Sequence, residues 1–292
     1  EHAELLSADV LVISDTSLFA KGLPAICYGL RGILYFQIDV EVARHDLHSG
    51  SYGGSVGNPI DVLAHIIAGL KDAQGRVLIP GFYDEVLPLT RRERDEFGRL
   101  PYTDAGYLEE TGAPALFGEP GYTTFERVWA RPTVEPNGVW GGFTGEGTKT
   151  VLPARASAKI SCRLVPDQDP ARVSHHFRDH VRRLCPPWAR ISITDFHHGR
   201  PALTPIDHPA VQATARALEA GFGVRPVFVR AGGSIPAATT MQEALGAPAV
   251  LMGIGLPDDH AHAPNERLDV ETFHAGVRSA IHLWAELASI SL

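Results

Sequence analysis

Residues 154–165 read ARASAKISCRLV. Ala156, Ala158, Ile160, Cys162 and Leu164 fall on one parity, and Ser157, Lys159, Ser161 and Arg163 fall on the other. Successive side chains of a strand point to opposite faces, so this stretch predicts a half-buried antiparallel strand. Upstream, residues 33–42 (ILYFQIDVEV) give a second strand. Ile60, Leu63, Ile66, Ile67 and Leu70 recur at helical spacing within 58–71. Downstream, the pattern predicts a helix over 169–184 and a strand over 190–196. Residues 73–132 are rich in Pro, Gly, Tyr and charge, and they read as irregular connections with short helices. The order from about 33 to 198 predicts an α+β sandwich with helices on one sheet face.

The ends of the chain have another rhythm. Residues 9–14 (DVLVIS) form a β-branched apolar run that suits a strand buried on both faces, as in a parallel α/β sheet. Beyond Pro201, a helix over 208–221, a strand over 226–229, a helix over 236–245 and a strand over 249–252 alternate. A last helix over 270–288 gathers Val270, Phe273, Val277, Ile281, Trp284 and Ala288 on one face. The fold class expected is therefore α/β: residues 1–32 and 201–292 build one α/β domain, interrupted by an inserted α+β domain over 33–200.

Composition excludes several classes. The 292 residues suffice for two domains, and 44% are hydrophobic. No apolar run approaches the ~20 residues of a membrane span. With 26 basic against 34 acidic residues the net charge is -8, the wrong sign for a nucleic-acid binder. The densest basic stretch, residues 91–94, is interleaved with Glu93, Asp95 and Glu96 and reads as a solvated helix face. Cys27, Cys162 and Cys185 stand far apart, with no CxxC pair and no disulfide framework, as expected in a reducing cytoplasm.

Candidate chemistry sits where strands end. Asp15 follows the run 9–14, a place for a metal ligand or for an ordinary turn-capping carboxylate. Residues 253–267 (GIGLPDDHAHAPNER) gather Asp258, Asp259, His260, His262 and Glu266, which are oxygen and nitrogen donors suited to zinc or simply a polar loop. In residues 228–236 (FVRAGGSIP), Gly232, Gly233 and the helix start at Ser234 suit an anion such as a carboxylate, or a plain strand-to-helix turn. His45 and His48 share a Gly-rich loop. Thr148, Lys149 and Thr150 lie in another, Arg163 lies on the polar parity of its strand, and His197 closes the inserted domain's last strand.

Six stretches occur in order over nearly the whole chain. They are VISDT (12–16), RHDLHSGSYGGSVGNP (44–59), GTKTVLPARASAKISCRLVP (147–166), HHGRP (197–201), RAGGSIP (230–236) and DDHAHAPNERL (258–268). Together they resemble the carnosine-dipeptidase branch of the di-zinc metallopeptidase family that includes aminoacylases and succinyl-diaminopimelate desuccinylases. The resemblance implies a zinc-binding α/β domain with an inserted lid domain that forms a homodimer. It maps Asp15 and His262 to metal ligands and demotes His260. It maps His48 to a histidine that crosses the dimer to the neighbouring site and polarises the scissile carbonyl. Thr150, Arg163, His197, Gly233 and Ser234 match positions that grip substrate, above all its carboxylate. The implied cofactor is a pair of zinc ions (Zn2+) bridged by hydroxide, with Mn2+ or Co2+ as substitutes, and the implied reaction is hydrolysis of the amide bond of dipeptides or short peptides.

The sequence departs from the family pattern in two places. The family's H-x-D ligand pair, bridging Asp and Glu-Glu pair precede the SDT strand, and only fourteen residues precede Asp15 here. An N-terminal segment is therefore expected to be missing, leaving the chain incomplete by itself. Ala231 stands where this branch commonly has Glu. Two other readings share these residues: an N-acyl-amino-acid deacylase or desuccinylase on the same scaffold, and a non-catalytic dimerising remnant.

Overall fold

The computed structural model describes residues 2–233, 235–261 and 263–290. The chain opens with β1 (Leu11–Ser17) and β2 (Ala25–Leu30) and crosses into β3 (Gly32–Glu41). A short strand β4 (Leu47–His48) runs into the single turn α1 (Ser49–Tyr52) and then α2 (Pro59–Ala68). Asn58 caps α2 by accepting the Ile60 N–H at 2.9 Å, with Pro59 in the first turn where no N–H is needed. Three short helices follow, α3 (Arg91–Gly98), α4 (Asp104–Thr111) and α5 (Thr124–Ala130). Thr90 with Glu93, and Thr123 with Glu126, form capping boxes at the starts of α3 and α5. Next come β5 (Thr133–Gly141), β6 (Val151–Leu152), β7 (Arg155–Leu164), α6 (Pro170–Leu184) and β8 (Arg190–Gly199). The chain finishes through β9 (Ala202–Leu203), α7 (Pro209–Phe222), β10 (Val227–Ala231), α8 (Pro236–Leu245), β11 (Ala249–Gly255) and α9 (Val270–Ala288).

One sheet has the order β5-β7-β3-β8 and is antiparallel throughout. Its register sets Ile33 opposite Arg163, and Arg163 opposite Thr133. The alternation expected over 154–165 holds: Ala156, Ala158, Ile160, Cys162 and Leu164 are buried against α2 and α6 with Phe36, Ile38, Leu63, Ile66 and Phe177. Phe36 and Phe177 stack with centroids 4.2 Å apart. Each buried Leu, Ile or Phe among them contributes about 1.5–3 kcal/mol, so this alternation is what seats the sheet on its helices. The opposite face is polar, with Ser157 and Ser161 buried and Lys159 and Arg163 half-buried.

The second sheet runs β1-β11-β2-β10, with β9 alongside β2. All six residues of β2 are buried because the strand is covered on both sides. Ile26 and Tyr28 join Val211, Leu218 and Phe228 in one core, while Cys27 and Leu30 join Ala238 and Leu251 in another. Three expectations change here. First, the sheet is mixed: β1 parallels β11 and β10 parallels β2, but β11 and β2 are antiparallel. Second, β1 is an edge strand with Val12 and Asp15 exposed, and it continues to Ser17, so Asp15 lies inside the strand. Third, the apolar face of α9 faces solvent, with Val270 66% and Trp284 71% exposed. Thr272, Ala275, Gly276, Ser279 and Leu283 are the buried set. Small residues allow close approach there: a Cβ on Gly221 of α7 would lie 2.0 Å from Ser279 Oγ. None of the described helices is long and apolar enough to cross a membrane.

Candidate active site

The site residues expected from the sequence fall into three groups. In the first, β4 pairs antiparallel with β6, setting His48 opposite Val151 and bringing Thr150 alongside. The Ser49 N–H donates to the Thr150 carbonyl at 3.0 Å. His48 caps α1, its Nδ1 accepting the Gly50 N–H at 3.1 Å. A neutral imidazole with Nδ1 as acceptor carries its proton on Nε2. Nε2 sits 3.3 Å from Thr150 Oγ1 at an exposed position. The backbone thereby fixes the tautomer that presents an N–H donor outward, the form needed to stabilise negative charge on a carbonyl oxygen. The Asp46 carboxylate steadies the same loop by accepting the Ala154 N–H at 2.9 Å.

The second group is at the carboxyl edge of β1 and β11, which are neighbours and run the same way. Asp15 is exposed there. The loop after β11 turns both of its aspartates on itself: Asp259 Oδ2 accepts the Leu256 N–H at 2.6 Å, and Asp258 pairs with Arg267. Asp259 Oδ1 is buried with no hydrogen-bond partner, and Arg267 Nε lies 3.6 Å away. Among the described residues no three His, Cys, Asp or Glu side chains gather closely enough to hold a metal. His262 and Ser234, expected as a ligand and a substrate contact, lie outside the described residues. Of the donors described, exposed Asp15 at a strand's carboxyl edge fits one corner of a metal site, since its carboxylate makes no hydrogen bond or ion pair among the described residues.

The third group surrounds the crossing between the two sheets. Arg163 lies on the open face of β7, and on the same sheet face the His197 ring stacks on Tyr35 at 5.4 Å. Gly233 is exposed in the turn after β10. One residue here escaped the sequence reading. Arg31 joins β2 to β3; its backbone N–H donates to the Ala231 carbonyl at 3.3 Å and its Nε–H to the Gly232 carbonyl at 3.1 Å. Burial pushes its guanidinium down to about 10, with the neighbouring Arg163 charge acting the same way and Glu135 opposing. The signal for it was a charged residue set between two apolar strands in YGLRGILY.

The described residues of the second and third groups lie toward opposite ends of the mixed sheet. β2 runs opposite to β11, and Met252 pairs with Ile26 one step from the Thr16–Gly253 pair. Arg31 lies five residues further along, roughly 17 Å at about 3.3 Å per residue.

The chain is 36% identical over 97% of its length to the Cys-Gly metallodipeptidase dug1 of Schizosaccharomyces pombe. It is 31% identical, again over 97%, to the human Beta-Ala-His dipeptidase. Among solved structures it superposes with a TM-score of 0.85 on an M20 family metallo-carboxypeptidase from Sulfolobus solfataricus, at 30% identity and covering 97% of this chain. The chain spans 60%, 56% and 64% of these three proteins, respectively. Residues 28–189, more than half of the chain, match the peptidase dimerisation domain of this group. The chain belongs to the M20 peptidase family.

Proposed function

We propose that this protein is a metal-dependent amide hydrolase acting on dipeptides, working as a homodimer in a reducing compartment. The observation that carries the reading is that the two dipeptidases align over 97% of the chain, through both sheets rather than through the dimerisation domain alone. In this reading residues 1–32 and 201–292 belong to the metal-binding domain, and residues 33–200 form the lid through which two copies associate. Three free cysteines, two of them buried, suit the reducing compartment.

Asp15 and His262 would hold metal, with the remaining ligands of a two-zinc centre coming from sequence outside these 292 residues. When bound, the zinc pair supplies Lewis acidity that generates the nucleophile at neutral pH and polarises the scissile carbonyl. The chain's own residues then orient the substrate. His48, reaching the partner's site, donates its Nε2–H to the developing oxyanion, and Thr150 holds the ring in line. Arg163, His197, Gly233 and Ser234 grip the substrate's terminal carboxylate.

The test is a side-by-side assay of cysteinylglycine, β-alanylhistidine and an N-acetyl-amino acid. Turnover of the dipeptides with little or none of the acetyl compound is expected. Preference for the acetyl compound would move the protein to the deacylases of the same scaffold.

A further inference from the structure

Strand β8 is irregular near its end. His198 pairs with Leu34 of β3 and Asp195 with Phe36, so Phe196 and His197 together stand opposite Tyr35 alone. This is a β-bulge, a device that breaks the strict alternation of faces and re-aims side chains. A regular strand would send one of the two rings toward the helices. Here both meet Tyr35: Phe196 edge-on at 6.1 Å between centroids, and His197 stacked at 5.4 Å with 23° between the planes. Lys159 of β7 steadies the group, its Nζ lying 4.1 Å from the centroid of the Phe196 ring and donating to Gln37 Oε1 at 3.2 Å. Phe196 nevertheless stays 51% exposed. Single exposed apolar side chains are common on surfaces. This one differs in being held by a bulge, a neighbouring ring and an ammonium group, next to His197.

Arg163 is on the same sheet. It pairs with Ile33, two residues before Tyr35 on β3, or about 7 Å along the strand. A substrate whose carboxylate is gripped by Arg163 and His197 carries its last side chain on the carbon next to that carboxylate. The side chain is then within reach of Tyr35 and Phe196. We propose that Tyr35 and Phe196 are specificity-determining residues: with the His197 ring they form an aromatic platform that receives the side chain of the substrate's C-terminal residue and favours a planar ring there. The proposal rests on the reading that Arg163 and His197 grip the terminal carboxylate. Ring pairs in stacked or edge-on contact gain more than their buried area alone, so an aromatic side chain is favoured over an aliphatic one of similar bulk.

The full-length holoenzyme is assayed with glycylphenylalanine and glycylleucine, and the ratio of their kcat/KM values is the readout. The unaltered protein is expected to favour glycylphenylalanine about fivefold. Phe196→Leu and Tyr35→Leu keep apolar bulk and remove a ring, and each should bring the ratio close to one. A variant that merely loosened the fold would lower both rates together and leave the ratio unchanged. Because Phe196 is exposed, Phe196→Leu carries the test if Tyr35→Leu does not fold. His197→Ala probes the reading beneath and should raise KM for both dipeptides. If it does so while the ring variants keep the ratio, or while the unaltered protein shows no preference, the platform is overturned and the carboxylate reading stands. If His197→Ala leaves both KM values unchanged, or neither dipeptide is hydrolysed, both fall.

Discussion

At the scale of single residues, His48 shows how backbone geometry assigns a chemical role. The Gly50 N–H claims Nδ1, so the proton is left on Nε2 beside Thr150. His48→Ala should lower kcat by about 10²–10³-fold, the range for removing one oxyanion donor, with bound metal unchanged. Thr150→Val should lower kcat less, because the ring keeps its Nδ1 contact. Steady-state kinetics alongside metal analysis check this, and turnover undisturbed by His48→Ala would remove the histidine from the mechanism. Asp258 and Asp259 teach the opposite lesson. Both are ligand-type residues by composition, yet Arg267 and the Leu256 N–H occupy them, so the loop's acidity mostly holds its own shape.

At the scale of elements, the cap of α9 makes a pH prediction. Asp269 accepts the Thr272 N–H at 2.9 Å and pairs with Lys21 at 2.7 Å, and the Lys21 hydrogen bond first, then the cap, hold its carboxyl down to about 2. A folded-state value below the unfolded one means that the stabilisation is present above about pH 4 and is lost as pH falls toward 2. Asp269→Asn should therefore lower the melting temperature at pH 6 and narrow its gap from the unaltered protein as pH approaches 2. A gap independent of pH would contradict the cap's charge dependence.

How much was legible follows from the same elements. The strand over 154–165 was legible because one face packs on helices and the other carries polar side chains, so the period of two survives in the residues. β2 was hidden in plain apolar sequence: buried on both faces, AICYGL has no alternation to find. The antiparallel step between β11 and β2 depends on pairing partners far apart in the chain, which local pattern does not encode. In α9 the residues with the strongest hydrophobic signal are exposed, while Ala275 and Ser279 approach Gly221 of α7 and Gly276 approaches Ile254 of β11, because closeness, rather than bulk, decides those contacts. His48 and Thr150 were found as separate loop residues, and only the β4–β6 pairing makes them neighbours. Arg31 went unread because its hydrogen-bond partner Gly232 is 201 residues away.

At the scale of the whole molecule, the chain builds two sheets; it crosses between their strands at Arg31–Gly32 and at Gly199–Pro201, and α3 and α5 of the middle segment pack on the mixed sheet's core through Phe97 and Trp129. These crossings touch: a Cβ on Gly32 would lie 2.6 Å from the Gly199 carbonyl oxygen. The open face of the antiparallel sheet and the Gly232–Gly233 turn meet at this joint, while Asp15 stands at the far edge of the mixed sheet. The account's central claim is that Asp15 serves a metal centre, and zinc content tests it most directly. Elemental analysis of the full-length protein should find about two zinc ions per chain, as a two-metal hydrolase requires, and clearly fewer after Asp15→Ala. Zinc absent from the unaltered protein, or retained in full by the variant, would contradict it.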